Sequence, residues 1–288
     1  MPIVKKDKSR QDSDRPVRVA AKKVEPISVE LPTAKSDPIS DLGKAVILIS
    51  GEKKIGKTSL TAQFGSNLNL SYEIGYKGLS IFQVDIPDWE TSRAVVRKLR
   101  KDKTFSTLTV DAADMAFKKM EKFVLKKHGI EHPSELEWGK GWAALRQEFE
   151  DYIDALTHTG KGVILLSHTQ EKEVRTRDGE SYDRIMATVP KAGREIIEGL
   201  VDIWAHYGYE GKRRVLTIRG DDHISAGHRF ESRFKTPDGR FVRRIDMGRS
   251  AAEGYKNFMA CWNNQYVPDD EEDIEDAPKK SKSKFKLK

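Results

Sequence analysis

One octapeptide constrains this chain more than any other stretch: Gly51-Glu-Lys-Lys-Ile-Gly-Lys-Thr58, which fits G-x-x-x-x-G-K-[ST]. The residues before it, Ala45-Val-Ile-Leu-Ile-Ser50, form a short apolar run suited to a buried parallel strand. The residues after it, 58–64, can open a helix. Strand, turn and helix in that order wrap backbone N–H groups around a phosphate chain, with the positive end of the helix dipole adding to them. The two glycines let the backbone approach without a Cβ in the way. Lys57 is placed to reach the β- and γ-phosphates and the Thr58 hydroxyl to hold Mg²⁺. The expected nucleotide-binding segment is Gly51, Glu52, Lys53, Lys54, Ile55, Gly56, Lys57, Thr58 and Ser59.

Of the 288 residues, those at the two ends are rich in charge and poor in large apolar side chains. Residues 1–42 read as a disordered or loosely attached basic arm, in which Ile27-Ser-Val-Glu-Leu31 could add a strand to a sheet edge. Residues 267–288, acidic and then basic, read as a solvated tail. That leaves 43–266 as one α/β domain with a core of its own. The formal net charge of +7 leans weakly toward a polyanionic partner. The single cysteine, Cys261, excludes an internal disulfide and a cysteine-based zinc site, and suits a reducing cytoplasm. No apolar run approaches a membrane span and no signal-peptide core is present, so the expectation is a soluble, unexported protein.

Between the ends the pattern alternates. Strand candidates fall at 68–72, 78–84, 107–111, 162–167 and 214–218, with a hairpin turning at Pro237-Asp-Gly239. Helical patterns cover 88–101, 114–127, 142–157, 195–200 and 251–262, with Asp88 and Asp114 as N-caps. This predicts a mostly parallel sheet with helices on both faces and an antiparallel C-terminal extension.

A phosphate-cradling loop needs a carboxylate at the end of a neighbouring strand to hold Mg²⁺. Asp111, closing the 107–110 run, is that candidate; the bland alternative is a helix cap, a role Asp114 fills better. Glu73 is the candidate for activating water, as a carboxylate leaving the strand next to the one before the loop, and Asp85 is its competitor. His168, leaving the 162–167 strand, is placed to sense the γ-phosphate or to sit as a satisfied rim residue. The remaining histidines show no metal-ligand spacing. The two tryptophans of Trp138-Gly-Lys-Gly-Trp142 read as core anchors for the following helix in preference to a stacking platform.

Taken in order, GEKKIGKTSL, YEIGYKGL, LTVDAAD, VILLSHT and RRVLTIRG with GHRF resemble the RecA-fold P-loop ATPases of bacteriophages, some of which act in single-strand annealing or recombination. The resemblance spans residues 43–235 and implies a RecA-like core, ATP with Mg²⁺, and assembly into rings or filaments. It gives Lys57 and Thr58 the phosphate-loop roles, Asp111 the Mg²⁺ role and Glu73 that of the catalytic glutamate. His168 stands where RecA-type recombinases usually carry glutamine. The segment after it, 169–190, falls where the family binds single-stranded DNA. Its pattern is long, polar and without strand or helix, with Lys172, Arg175, Arg177 and Arg184 as phosphate contacts and Tyr182 as a stacking residue. Glu171, Glu173, Asp178, Glu180 and Asp183 largely cancel that charge. Such ATPases also complete their site across a subunit interface, which makes Arg229 or Arg219 a candidate finger. The leading expectation is therefore a Mg²⁺-dependent ATPase acting on single-stranded DNA. Its rivals are a nucleotide-driven switch or assembly factor with protein partners, a small-molecule kinase, and a hexameric helicase motor.

Overall fold

In the computed structural model, residues 31–275 are described with the exception of Arg177. Most of the basic arm with its Ile27 strand segment, the basic end of the tail, and Arg177 lie outside the described residues. Along the chain come β1 (Val46–Gly51), α1 (Lys57–Thr61), β2 (Asn67–Ser71), β3 (Phe82–Asp85), α2 (Trp89–Leu99), β4 (Thr107–Asp111), α3 (Ala113–His128) and α4 (Lys140–Thr157). Then follow β5 (Gly162–Ser167), β6 (Thr169–Arg175), β7 (Ser181–Ala187), α5 (Lys191–Leu200), β8 (Ile203–Glu210), β9 (Arg213–Thr217), β10 (Gly227–His228), β11 (Phe241–Val242), β12 (Arg244–Asp246), α6 (Ala251–Trp262) and β13 (Ile274–Glu275).

The main sheet runs β12-β9-β8-β1-β5-β4-β2-β3, with β10 on β8. Strands β8, β1, β5, β4, β2 and β3 are parallel, and β9, β10 and β12 extend the sheet antiparallel. β1, β4 and β5 are continuous apolar runs because both sheet faces are covered. Leu48 points into the core formed with α2 to α5, around Trp89, Phe117 and Phe149. Its neighbours Ile47 and Ile49 point into the second core, formed with α1 and α6 around Phe234, Phe258 and Trp262. Helices therefore cover both faces, as the alternating pattern predicts.

Several expectations change. β8 is an added strand; its Ile-Trp-Ala-His-Tyr-Gly-Tyr run follows α5 without a turn signal, yet it is the second parallel neighbour of β1. β2, the strand before Glu73, is not beside β1, since β5 and β4 intervene. Asp114 does not cap α3: Ala112 holds that position, and no side chain caps the helix. Trp138 and Trp142 are not core anchors, being 91% and 50% exposed. Residues 169–187 are not an irregular loop but the β6–β7 hairpin, paired in register from Thr169↔Ala187 to Arg175↔Ser181. Hydrophobic alternation could not find it, because most of its β6 side chains are exposed and polar.

The edges of the domain also shift. One compact unit begins at Ile39, Leu42 is fully buried, and Trp262 Nε1 donates to Ser40 O at 3.0 Å. At the other end, the acidic stretch read as a solvated tail is partly built in. β13 pairs with β11, and buried Asp273 forms ion pairs with Arg213 at 3.2 Å and Arg244 at 2.9 Å. A charge block is recruited this way when the strands it meets carry the opposite sign.

Candidate nucleotide site

All six parallel strands point their C-terminal ends to one edge of the sheet, and the loops leaving β1, β2, β4 and β5 enclose a cleft of about 910 Å³. This is where open α/β sheets place ligands. The octapeptide forms its floor. Gly51 has no room for a side chain, since a Cβ there would lie 2.2 Å from Tyr207 O on β8. Gly56 adopts φ +109°, in the left-handed region that favours glycine. α1 is only five residues long, so the loop N–H groups and Lys57, more than a macrodipole, supply the positive field.

Lys57 is buried, and its Nζ donates to Gly51 O at 2.8 Å and Glu52 O at 2.7 Å. Burial lowers its pKa, against the opposing charges of Asp111, Asp114, Glu73 and Glu52. Thr58 Oγ1 donates to Asp111 Oδ2 at 2.7 Å, so the two expected Mg²⁺ groups meet although β5 separates their strands. Burial raises the Asp111 pKa, with the Thr58 hydrogen bond and the Lys57 charge opposing.

Glu73 and Asp85 are separated by position. Glu73 lines the cleft with its Oε1 3.6 Å from His168 Nε2. Asp85 ends the edge strand β3 and accepts from the Tyr76 hydroxyl at 2.6 Å, outside the cleft lining. Burial first, then Asp111 and Asp114, raise the Glu73 pKa, while His168 lowers it.

The other His168 nitrogen, Nδ1, lies 2.9 Å from Asp114 Oδ2, which also accepts from Thr188 Oγ1 at 2.8 Å. Thr188 N in turn donates to His168 O at 2.9 Å. His168 precedes β6 and Thr188 follows β7, so one carboxylate oxygen ties together both roots of the hairpin. Burial alone would raise the Asp114 pKa, but the hydrogen bonds from His168 and Thr188 and the His168 charge outweigh it and lower it. Thr188 has no sequence signal, and Asp114 reads as a cap until the fold brings residues 73, 168 and 188 to it.

Three carboxylates, Glu73, Asp111 and Asp114, thus face His168 and the buried Lys57, with Lys53, Lys54 and Lys118 also lining the cleft. Asp114 Oδ1 is buried without a hydrogen-bond partner, and the Thr58 and Asp111 oxygens are hard donors. Among the described residues no group of three His, Cys, Asp or Glu forms a metal cage by itself. That donor set fits Mg²⁺, which binds through one or two protein oxygens together with substrate phosphates.

The expected DNA contacts fall on the two faces of the hairpin. Lys172 lies directly opposite Arg184, and Val174 opposite Tyr182, on one face. Glu173 opposite Asp183, together with Glu171 and Arg175, makes up the other. Charges that cancel in sequence are therefore segregated in space, except that Arg175 lies on the acidic side. Arg219 and Arg229 do not reach the cleft. Arg219 pairs with Glu275 at 3.1 Å and lies over the Phe241 ring. Arg229 donates to Gly199 O and follows β10, which pairs with the N-terminal end of β8, the sheet end opposite the octapeptide.

A mostly parallel sheet with the order β8-β1-β5-β4-β2, carrying this loop after β1, defines a RecA-like P-loop nucleotide-binding core. Residues 43–230 match the family described as AAA domain, and the chain belongs to that family. Among solved structures, it is similar to the RadB recombinase at 14% identity, covering 73% of this chain and 90% of that one, with a TM-score of 0.39. It is also similar to a KaiC-like protein from Pyrococcus horikoshii OT3 at 14% identity, covering 72% and 87%, with a TM-score of 0.39. No curated protein matches the chain. Among the described residues, no helix is long and apolar enough to cross a membrane.

Proposed function

We propose that this protein is a Mg²⁺-dependent ATPase whose nucleotide state is transmitted to a β-hairpin that grips single-stranded DNA, in bacteriophage recombination or replication in the host cytoplasm. The observation that carries this reading is the shared carboxylate oxygen. Asp114 Oδ2 holds His168, which faces the cleft beside Glu73, and Thr188, which roots the far strand of the hairpin.

In this reading the loop N–H groups and Lys57 hold the phosphate chain, and Thr58 with Asp111 positions Mg²⁺. Bound there, the ion neutralises charge on the transferred phosphoryl group. Glu73 accepts the proton of the attacking water, a role its raised pKa suits. His168 exchanges contacts between Glu73 and the γ-phosphate, and Asp114 passes the change to the hairpin. There the Lys172, Arg184 and Tyr182 face supplies cations and a ring for a nucleic-acid strand. Head-to-tail assembly of copies of this chain would bring Arg229, at the far end of its own sheet, to the nucleotide of a neighbouring copy.

The test is ATP turnover by the wild type and Lys57→Ala, with and without Mg²⁺ and single-stranded DNA. The expected result is Mg²⁺-dependent turnover, stimulated by DNA and lost in Lys57→Ala. Turnover unaffected by Lys57→Ala would overturn the site assignment, and turnover without any DNA response or DNA binding at low salt would overturn the DNA half. One observation favours the second reading, an assembly factor for protein partners: Arg184 is half-buried with its Nη2 directed to Asp221 O at 3.5 Å, leaving Lys172 as the exposed cation of that face.

A further inference from the structure

A second cleft, of about 1020 Å³, opens between β8, β9, α6 and the chain that follows α6. It is lined by Tyr209, Arg214, Arg249, Asn257 and Tyr266 among others, and it shares no lining residue with the first cleft. Arg214 belongs both to this cleft and to the flank of the phosphate loop. Its Nε and Nη2 donate to Gly248 O at 3.1 and 2.8 Å, which fixes the plane of the guanidinium. The remaining nitrogen, Nη1, faces the octapeptide: a methyl group on Gly56 would lie 3.6 Å from it and 4.0 Å from the Tyr207 hydroxyl.

The charge environment of Arg214 differs from that of its neighbours. Arg213 is paired with Glu210, Asp246 and Asp273, and Arg244 with Glu210, Glu272 and Asp273. Among the described residues Arg214 has no carboxylate within ion-pair distance, only a carbonyl. A fixed guanidinium with one edge open beside a phosphate loop is a site for an anionic oxygen. Tyr209 lies directly opposite Arg214 in the β8–β9 pairing, hence on the same sheet face, and is 54% exposed at the rim of the cleft. An aromatic ring beside a guanidinium is a surface on which a base can stack.

Direction follows from the first cleft. Lys57, Thr58, Asp111 and Glu73 define the β- and γ-phosphate end, on the β5, β4 and β2 side of β1. The rest of the nucleotide must leave over Gly56 on the other side, where β8 and β9 present Tyr207, Tyr209 and Arg214. We propose that Arg214 binds the α-phosphate and that Tyr209 stacks on the base, so that the second cleft is the nucleoside pocket of the same site. This rests on the nucleotide reading given under Proposed function and adds to it a third phosphate contact, Arg214, and the residue that tells a nucleotide from a bare phosphate chain, Tyr209.

The test is a matrix of two ligands, ATP and inorganic tripolyphosphate, each with Mg²⁺, titrated by calorimetry into five proteins. Wild type binds both, and Lys57→Ala binds neither. Arg214→Ala weakens both by about tenfold or more, because a charge-assisted hydrogen bond is lost. Tyr209→Ala weakens ATP about tenfold and leaves tripolyphosphate unchanged, as expected for loss of stacking alone. Arg214→Gln, which keeps a donor for Gly248 O, repeats the Arg214→Ala result and separates it from misfolding, with thermal midpoints measured alongside. Unchanged tripolyphosphate affinity in both Arg214 variants, or unchanged ATP affinity in Tyr209→Ala, would overturn the inference while leaving the phosphate site standing. Absence of ATP binding to the wild type would overturn both.

Discussion

The phosphate loop and the β6–β7 hairpin are built on opposite principles. The loop is fixed by its surroundings: Gly51 is pressed against Tyr207 O, Lys57 is buried, and Thr58 is bonded to Asp111. The hairpin is a two-stranded ladder separate from the main sheet, with β6 mostly exposed and β7 half-buried and bonded through Ile185 to His223 and Ser225. It tolerates like charges directly opposite one another, Lys172 with Arg184 and Glu173 with Asp183, an arrangement that costs pairing energy. A rigid cradle suits chemistry, which needs groups held in place. A marginal, charge-segregated ladder suits a part that moves and meets a partner. Asp114 holds both roots of the hairpin at the cleft, and in the proposed function it is the joint between cradle and hairpin.

The largest expected effect is on the cradle. Lys57→Ala should reduce ATP turnover by at least about 100-fold, because a cation aimed at developing phosphoryl charge is lost from a buried site. Next comes Glu73→Gln, with kcat down about 100-fold and ATP binding retained, as for removal of a general base. The Glu73 pKa is raised, and only the deprotonated carboxylate accepts a proton. Wild-type kcat should therefore fall as pH drops through a value above the usual glutamate range, and Glu73→Gln should flatten that limb. A limb at the ordinary glutamate position would remove the base assignment.

How much of this was legible differs between the two regions for a physical reason. The cradle is local: eight consecutive residues after an apolar run specify a backbone shape, and Asp111 was readable because it closes a second such run. The constellation around Asp114 is not local. Residues 73, 114, 168 and 188 are joined only by the parallel strand order, and the insertion of β5 between β1 and β4 leaves no trace in the spacing. The hairpin was unreadable by hydrophobic period because neither face is a core face, and its charges looked cancelled until register sorted them. Asp273 shows the same limit, reading as tail charge until β9 and β12 bring Arg213 and Arg244 to it.

A smaller effect belongs to the hairpin itself. Lys172→Gln should leave basal ATP turnover within about twofold and reduce the salt slope of single-stranded DNA binding by about one counterion, the mark of one lost phosphate contact. An unchanged slope would move the DNA path elsewhere. Smaller still is a stability effect of two buried histidines, one of them, His206, next to the loop strand and within reach of the Lys57 charge. His206 and His228 are held neutral by burial, with pKa values lowered to about 4. The unfolded chain takes up protons on them below about 6.5 while the folded one does not, so stability is full above that pH and declines as pH falls toward about 4. Thermal midpoints across that window should decline less in His206→Gln.

The joint is tested most directly by single-stranded DNA affinity measured with ATP and with ADP, in the wild type and in Asp114→Asn. The wild type should bind DNA at least about fivefold more tightly in one nucleotide state than in the other, the size of a typical coupling. Asp114→Asn should still bind ATP while that ratio collapses toward one. An undiminished ratio in Asp114→Asn would contradict the account.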